Sequence, residues 1–333
     1  MSHFRSAAFS GISAVILLAT LTSCTSVQVK LGWKVLLDRT PVKSIEARLP
    51  QGPAIAPGEK SPLVVTFTEP DGRILTTEGA GAGKVMWKEL NVIASVVTVN
   101  NKKGVLTLAS DPRLSDGKIG HVTITVPSHP DLRAELDVPV RYNRKYAANF
   151  SGSSGMDGST GMDGTDGTSG SSGSMDPDSP SPGGDGGNGG DGSSGGDGGN
   201  GGNAPPVQVR VALRAGIHPL LQASVSSLEK QSFYLIDPQG GSLTVIADGG
   251  PGGSGGRGGR GGRGGSGGIG TPSGSDGHSG SDGHDGMSGS PGSGGLITVT
   301  YDPQAKPYLG VIHLSSRYGP AAVFREETVA ALW

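Results

Sequence analysis

The alternation of apolar and polar residues between positions 35 and 140 is typical of short β-strands separated by turns. At positions 122–126 apolar side chains alternate with threonines, and residues 132–140 alternate in the same way. A period of two residues places one side of a strand in a core and the other side in water. Together with the apolar runs at 63–68, 73–76, 92–100 and 104–108, the pattern predicts about seven strands, as in a β-sandwich.

A second group of strands is predicted towards the end of the chain. Residues 207–213 alternate, and shorter apolar runs follow at 232–236, 243–247, 297–301 and 311–314. Two of these runs flank a glycine-rich segment, so residues 248–295 are predicted to be an insertion within one β domain, formed by residues 204–247 and 296–333. The fold class is therefore mainly β. The first strand group, residues 35–150, resembles bacterial immunoglobulin-like (Ig-like) modules in general pattern.

Glycine recurs with a strict phase in four tracts. Tract 1 (residues 152–173) and tract 4 (274–295) have glycine at every third position, the repeat Gly-X-X. Tract 2 (183–203) and tract 3 (249–269) have the denser repeat Gly-Gly-X, in which Ser193 is the single interruption. Proline-containing segments separate tract 1 from tract 2 and tract 3 from tract 4, so the order predicts two hairpins, 151–203 and 248–295.

Three interpretations of the tracts are open. A flexible linker is the ordinary state of glycine-rich chains, but a linker has no reason to keep a three-residue phase. A collagen triple helix requires that phase, yet it also requires three chains and more proline than the tracts contain. The third interpretation is a bundle of polyproline-II-like helices, called polyglycine II, in which three residues form one turn and each residue rises about 3.1 Å.

The two repeat forms favour the ordered bundle and predict its arrangement. In a helix with three residues per turn, Gly-X-X provides one edge along which a neighbour can approach closely, whereas Gly-Gly-X provides two. Tracts 2 and 3 are therefore expected inside the bundle, with tracts 1 and 4 at its rim. The tracts resemble the polyglycine-II bundles of the snow flea antifreeze protein and of phage tail-tip adhesins. The resemblance is architectural and covers the tracts alone.

The first residues have the pattern of a bacterial lipoprotein signal peptide. Arg5 precedes an apolar run, 12–21, that is too short to span a bilayer. The sequence Leu-Thr-Ser-Cys ending at Cys24 resembles the lipobox, in which the cysteine is acylated and the preceding peptide is removed, and Cys24 is the only cysteine. Residues 1–23 are thus expected to be a signal peptide and 24–34 a lipidated linker. An ordinary secretory signal is the alternative.

Composition and charge limit the location and the partners. The chain has 61 glycines among 333 residues, 5% aromatic residues and a net charge of −2. Only part of it can form an ordinary hydrophobic core, and the charge does not predict nucleic acid as a partner. Resemblance to Gram-negative lipoproteins with a residue such as Thr25 after the cysteine implies the outer membrane. The expected partners are that membrane, reached through the lipid, and an envelope polysaccharide or a surface protein.

Charged residues at the third position of the dense repeats are the candidate ligand-binding residues. Those of each tract lie on one edge, about 9 Å apart at the rise of such a helix. They are Asp185, Asp191 and Asp197 in tract 2 and Arg257, Arg260 and Arg263 in tract 3. These edges either face water or pair across the bundle. A further interpretation is that they bind an anionic polysaccharide or lipopolysaccharide.

No metal, cofactor or catalytic site is predicted. His278 and His284 lie on one edge of tract 4 about 19 Å apart, too far to share a zinc ion. The Asp-Gly pairs of tract 1 lack the spacing of calcium loops, and the sequence contains no hydrolase, zinc-protease or P-loop motif. The sequence therefore predicts a non-catalytic surface lipoprotein that acts as a structural spacer or adhesin. The alternative is a glycan-binding module.

Overall fold

The computed structural model describes residues 25–333 except 215, 217 and 229, and it divides into two compact units. Unit 1 extends to Arg144 and includes Trp333, and unit 2 is Lys145–Leu332. Both consist mainly of strands and irregular segments, so the mainly β class is confirmed.

The described residues of unit 1 form one short α-helix and nine strands, and the strands are arranged in three antiparallel sheets. The helix is α1 (Thr25–Lys30), and the strands are β1 (Ser44–Arg48), β2 (Lys60–Pro62), β3 (Val64–Thr68), β4 (Ile74–Thr76), β5 (Asn91–Ser95), β6 (Val97–Asn100), β7 (Val105–Leu108), β8 (Gly120–Val126) and β9 (His129–Val138). The strand orders are β1-β3-β4, β2-β7-β6 and β5-β8-β9. Short 3-10 helices lie at Leu37–Arg39, Gly79–Gly81, Trp87–Glu89 and Pro112–Leu114.

The three sheets of unit 1 share one hydrophobic core, in which Phe67, Trp87 and Ile124 are fully buried. The run predicted as one strand at 92–100 is divided at Val96, whose φ of 66° lies in the left-handed region. A β-branched residue rarely adopts this conformation, so the chain changes direction there and β5 and β6 enter different sheets. The Ig-like arrangement of this unit stays a prediction.

In the described residues of unit 2, eight strands form two sheets. They are β10 (Lys145–Asn149), β11 (Val207–Arg214), β12 (Leu220–Ser227), β13 (Lys230–Ile236), β14 (Ser242–Ile246), β15 (Ile297–Tyr301), β16 (Ile312–Ser315) and β17 (Val323–Glu326), with a 3-10 helix at Pro303–Val311. The three-stranded sheet β10-β14-β16 is parallel, and the five-stranded sheet has the order β13-β12-β11-β15-β17. Buried residues of both sheets, including Val209 and Val245, form one core.

The predicted domain boundary at residue 150 is corrected. Strand β10 pairs in parallel with β14, so Lys145–Asn149 belongs to unit 2 and not to the first β domain. The hairpin of tracts 1 and 2 is consequently an insertion within unit 2, like the hairpin of tracts 3 and 4. Strand β10 has only five residues and no aliphatic side chain larger than alanine, and its partner lies far along the chain, so no local pattern identified it.

Each hairpin leaves the three-stranded sheet and returns to the five-stranded sheet. Tracts 1 and 2 connect β10 to β11, and tracts 3 and 4 connect β14 to β15. The parallel pairing of β10 with β14 continues beyond the strands, because Phe150 N donates to Ile246 O at 2.8 Å and Gly152 N to Asp248 O at 2.9 Å. The pairing of β11 with β15 continues in the same way into tracts 2 and 4. The sheets therefore set the register of the tracts.

Candidate functional site: the glycine bundle

The four tracts form a bundle of extended helices joined by backbone hydrogen bonds at every third residue. Tract 1 donates to tract 3, tract 2 donates to tracts 1 and 4, tract 3 donates to tract 2, and tract 4 donates to tract 3. The N–O distances of these bonds are 2.6–3.0 Å. Tracts 2 and 3 thus bond to each other and to both remaining tracts, and they occupy the centre as the repeat forms predict.

Glycine is required in the bundle for space. None of the tract glycines, all of which lie in the described part of the chain, has a φ in the left-handed region. A β-carbon on Gly259 would lie 1.9 Å from Met162 O, and one on Gly186 would lie 2.0 Å from Gly265 O. These distances are far below van der Waals contact, so a side chain in such a row forces two tracts apart.

One row of glycines has more room. It consists of the second glycine of each triplet in tract 2, which faces tract 1, and a β-carbon on Gly190 would come no closer than 3.1 Å, to Thr165 Oγ1. Ser193 occupies this row: its N donates to Met162 O at 2.9 Å, and its Oγ accepts a hydrogen bond from Met162 N at 2.6 Å. The single interruption of the dense repeats therefore falls where the bundle tolerates a side chain.

All aspartates and asparagines of the tracts accept a hydrogen bond from a backbone amide of a neighbouring tract, at 2.7–2.9 Å. They are Asp157, Asp163 and Asp166 in tract 1, Asp185, Asn188, Asp191, Asp197, Asn200 and Asn203 in tract 2, and Asp276, Asp282 and Asp285 in tract 4. A polyproline-II-like helix has no internal hydrogen bonds, so these side chains satisfy amides that backbone pairing leaves over.

The predicted ligand-binding aspartates of tract 2 belong to this set. Asp185, Asp191 and Asp197 are exposed, and each binds a backbone amide of tract 4 at 2.7 Å through Oδ1. The structure therefore gives them a role in joining two tracts. Binding of an external ligand by these residues stays a prediction.

The predicted arginine row of tract 3 is exposed and lies between two rows of carboxylates. The backbone amides of Arg260 and Arg263 donate to Asp163 and Asp166 of tract 1 at 2.8 Å. On the other side, aspartates of tract 4 accept hydrogen bonds from Gly258, Gly261 and Gly267. None of the ion pairs in the described part of the chain involves Arg257, Arg260 or Arg263. The flanking carboxylates reduce the positive potential around this row.

The face formed by tracts 1 and 2 carries no charged side chain in its two rows. One row is the glycine row with more room, and the other is the second position of each triplet in tract 1, Ser153, Met156, Ser159, Met162, Thr165, Thr168 and Ser171. Met156 and Met162 are 83% and 81% exposed. The bundle thus combines one uncharged face with faces that carry regular rows of charge.

The histidines of tract 4 are part of the same scaffold. His278 N donates to Asn188 Oδ1 at 2.9 Å. Within residues 25–333, apart from the three gaps, no group of three or more His, Cys, Asp and Glu side chains is placed to hold a metal ion.

Asp248 anchors the base of the bundle, a role that the sequence did not reveal. Asp248 is 8% exposed, and its carboxylate accepts hydrogen bonds from Ser315 Oγ at 2.6 Å and from Arg317 N and Nε at 2.8 and 3.0 Å. These bonds, that of the Arg317 amide first, lower the pKa of the Asp248 carboxyl. A cavity of about 310 Å³ lies beside it, lined by Arg317, Tyr318 and the first residues of tracts 1 and 3.

The predicted lipidation residue, Cys24, lies outside the described residues. In the part of the chain that the structure describes, no helix is long and apolar enough to cross a membrane. No protein-family model matches the chain, and no curated protein matches its sequence.

Proposed function

We propose that this protein is a non-catalytic lipoprotein of the bacterial outer membrane, anchored through acylated Cys24, in which the glycine bundle is a stiff spacer or adhesive element. The observation that carries the proposal is the bundle itself. Its tracts are joined to their neighbours by a backbone hydrogen bond at every third residue, and its variable side chains are exposed. A flexible linker has no such regular hydrogen bonds.

The stiffness follows from the number and regularity of the hydrogen bonds. A single tract has no internal hydrogen bonds, whereas each central tract bonds to three neighbours. At about 3.1 Å per residue, a tract of 21 residues, such as tract 2, extends about 65 Å.

The arrangement of the polar residues supports a structural role over catalysis. The aspartates of the tracts lie in straight rows and hold backbone amides, whereas an active site brings several reactive groups together in a pocket. The carboxylates beside the arginine row also disfavour an anionic ligand. A spacer or an adhesive element needs only a rigid scaffold that carries exposed side chains.

The anchoring is tested by expressing the full chain in a Gram-negative bacterium with labelled palmitate. Label on the protein and its recovery with outer membranes are expected, and a Cys24→Ser variant should lose both. A protein that stays unlabelled and soluble would sink the lipoprotein proposal. The role of the bundle is then tested in the same cells by comparing adhesion of the natural chain with one whose tract residues are shuffled out of phase.

The arginine row has its own test. The variant Arg257→Ser, Arg260→Ser, Arg263→Ser is compared with the control Arg39→Ser, Arg48→Ser, Arg325→Ser, which removes three exposed arginines outside the bundle. Equal retention of both variants on purified anionic envelope polysaccharide is expected. Loss of retention in the first variant alone, with an intact fold, would establish glycan recognition by this row.

A further inference from the structure

A second exposed surface lies in unit 1, close in sequence to the predicted lipid attachment. It comprises Leu31, Trp33, Lys34, Lys88 and Lys102, and we refer to it as the lysine–tryptophan surface. Leu31 and Trp33 are 55% and 53% exposed. The three lysines line a cavity of about 220 Å³. Trp33 is nine residues after Cys24.

The local fold fixes this surface. Helix α1 ends at Lys30, and Gly32, two residues later, has a φ of 70°. The amides of Trp33 and Lys34 both donate to Gln28 O, at 2.9 and 3.2 Å. The next amide, Val35 N, donates to Lys84 O at 3.0 Å and fastens the segment to the rest of the unit. Leu31 and Trp33 are therefore exposed at a turn whose neighbouring residues, Gln28 and Lys34, line the cavity.

The cavity carries a positive charge. Its lining includes three lysines and one carboxylate, Glu78. Glu78 pairs with Lys34 and also accepts a hydrogen bond from Trp87 N at 3.3 Å, so its charge is held by groups of the protein itself. With three lysines and one carboxylate, the lining has more positive than negative groups.

An exposed tryptophan and leucine beside lysines is the combination that binds the boundary between lipid headgroups and acyl chains. Tryptophan places its apolar ring and its N–H at that depth, and lysines pair with headgroup phosphates. A lipid on Cys24 would hold this surface within a few residues of the bilayer and raise its effective concentration there.

We propose that the lysine–tryptophan surface docks onto the bilayer, with the Trp33 ring among the headgroups and the cavity lysines against phosphates of anionic phospholipids. The inference rests on the proposed membrane location but concerns a different part of the molecule. The lipid then attaches the chain, and this surface fixes the face that unit 1 turns towards the membrane.

The test uses the mature chain, residues 24–333, with Cys24→Ser, and measures sedimentation with vesicles of phosphatidylglycerol or of phosphatidylcholine alone. Binding to the anionic vesicles is expected, and Lys88→Ser with Lys102→Ser should weaken it about tenfold to thirtyfold. The control Lys43→Ser with Lys60→Ser removes two exposed lysines elsewhere in unit 1 and should leave binding unchanged. Inorganic phosphate at low concentration should not compete, because the bilayer surface is the proposed ligand.

The position of the ring is read from tryptophan fluorescence in the same vesicles with brominated lipids. Quenching that disappears in Trp33→Phe is expected in a Trp333→Phe background, in which Trp87, 1% exposed, is the remaining tryptophan. No binding to anionic vesicles, equal loss in the control variant, or an unquenched Trp33 would each overturn the inference, the last indicating that another protein covers the surface. Because this chain carries no lipid, such a failure is distinct from a failure of acylation at Cys24.

Discussion

At the level of single residues, the space available for a β-carbon separates two classes of tract glycine. Gly259 faces backbone at 1.9 Å, whereas Gly190 lies in the row that already contains Ser193. We expect Gly259→Ser to destabilise the bundle by about 1–3 kcal/mol or more, because the added atoms separate two tracts. The matched variant Gly190→Ser should change stability by less than about 0.5 kcal/mol.

The measurement is thermal loss of the polyproline-II signal in circular dichroism. Equal melting temperatures for Gly259→Ser and Gly190→Ser would contradict close packing as the reason for the glycine phase. It would favour the flexible-linker interpretation.

Ser194 stands where the other triplets of tract 2 have Asp or Asn in the third position. Those Asp and Asn side chains bind amides of tract 4 that lie 90 residues later in the chain, and the residue 90 positions after Ser194 is His284. We expect Ser194→Asp to supply the missing acceptor and to stabilise the bundle by about 0.5–1.5 kcal/mol. Ser194→Ala is the control and should have almost no effect in the same thermal measurement; a stabilisation equal to that of the aspartate would refute the role of the carboxylate.

Asp248 gives the base of the bundle a dependence on pH. Because its pKa is lower in the folded protein than the usual 3.8, its contribution to stability is present above that value and is lost as the pH falls through the lower folded pKa. We expect Asp248→Asn to lower the melting temperature at neutral pH and to lose this effect in acid, where the natural carboxyl is protonated. A difference between the two proteins that persists unchanged at acidic pH would contradict this assignment.

At the level of the element, the three-residue phase dictates which changes of length the bundle accepts. Removing one triplet from every tract, Gly161 to Asp163, Gly192 to Ser194, Gly258 to Arg260 and Gly283 to Asp285, preserves both phase and pairing. The bundle should then fold with a length reduced by about 9 Å. Deleting Arg260 alone shifts all later residues of tract 3 out of phase and should abolish the cooperative transition in circular dichroism, whereas retention of the transition would show that phase is dispensable.

The arrangement of the tracts could be predicted because it depends on the number of glycines in each three-residue repeat, which can be read from one segment of the chain. Tracts 2 and 3 have two glycines per repeat, and this alone identifies them as central. The roles of Asp185, Asp191 and Asp197 could not be predicted in this way. Each carboxylate binds an amide 90 residues away, and nothing in the local sequence indicates that separation.

Strand β12 was missed for a comparable reason. In β12 both sides are buried, and Gln222 and Ser224 are polar residues with only 2% and 4% exposure, so the alternation of apolar and polar positions is lost. The lysine–tryptophan surface was also missed, because its cavity joins side chains from separate segments of the chain. Contacts between distant segments thus account for most of what the sequence did not show.

At the level of unit 2, the strands and tracts form one continuous hydrogen-bonded structure. The parallel pairing of β10 with β14 continues into tracts 1 and 3 without a break. We expect Val245→Ala, which opens space in the core of the unit, to lower the transition of the bundle together with that of the sheets, by about 1–3 kcal/mol. The control Thr244→Ala, on the opposite side of β14, should have a smaller effect; a bundle transition unaffected by Val245→Ala would show that the two parts unfold separately.

In the tracts, glycines make the contacts between neighbours, whereas the other residues are exposed. This division affects how the exposed surface can change in sequence. Close contacts are made by glycine, and the residues between them need only keep the amide acceptors, so many exposed positions are open to exchange without a change of backbone. The exposed side chains of one row are spaced about 9 Å apart along each tract. Substitutions at these positions therefore change which charged, hydroxyl or methyl groups the surface carries, at a fixed spacing. Such a molecule can change the chemistry of its exposed surface while its backbone arrangement stays the same.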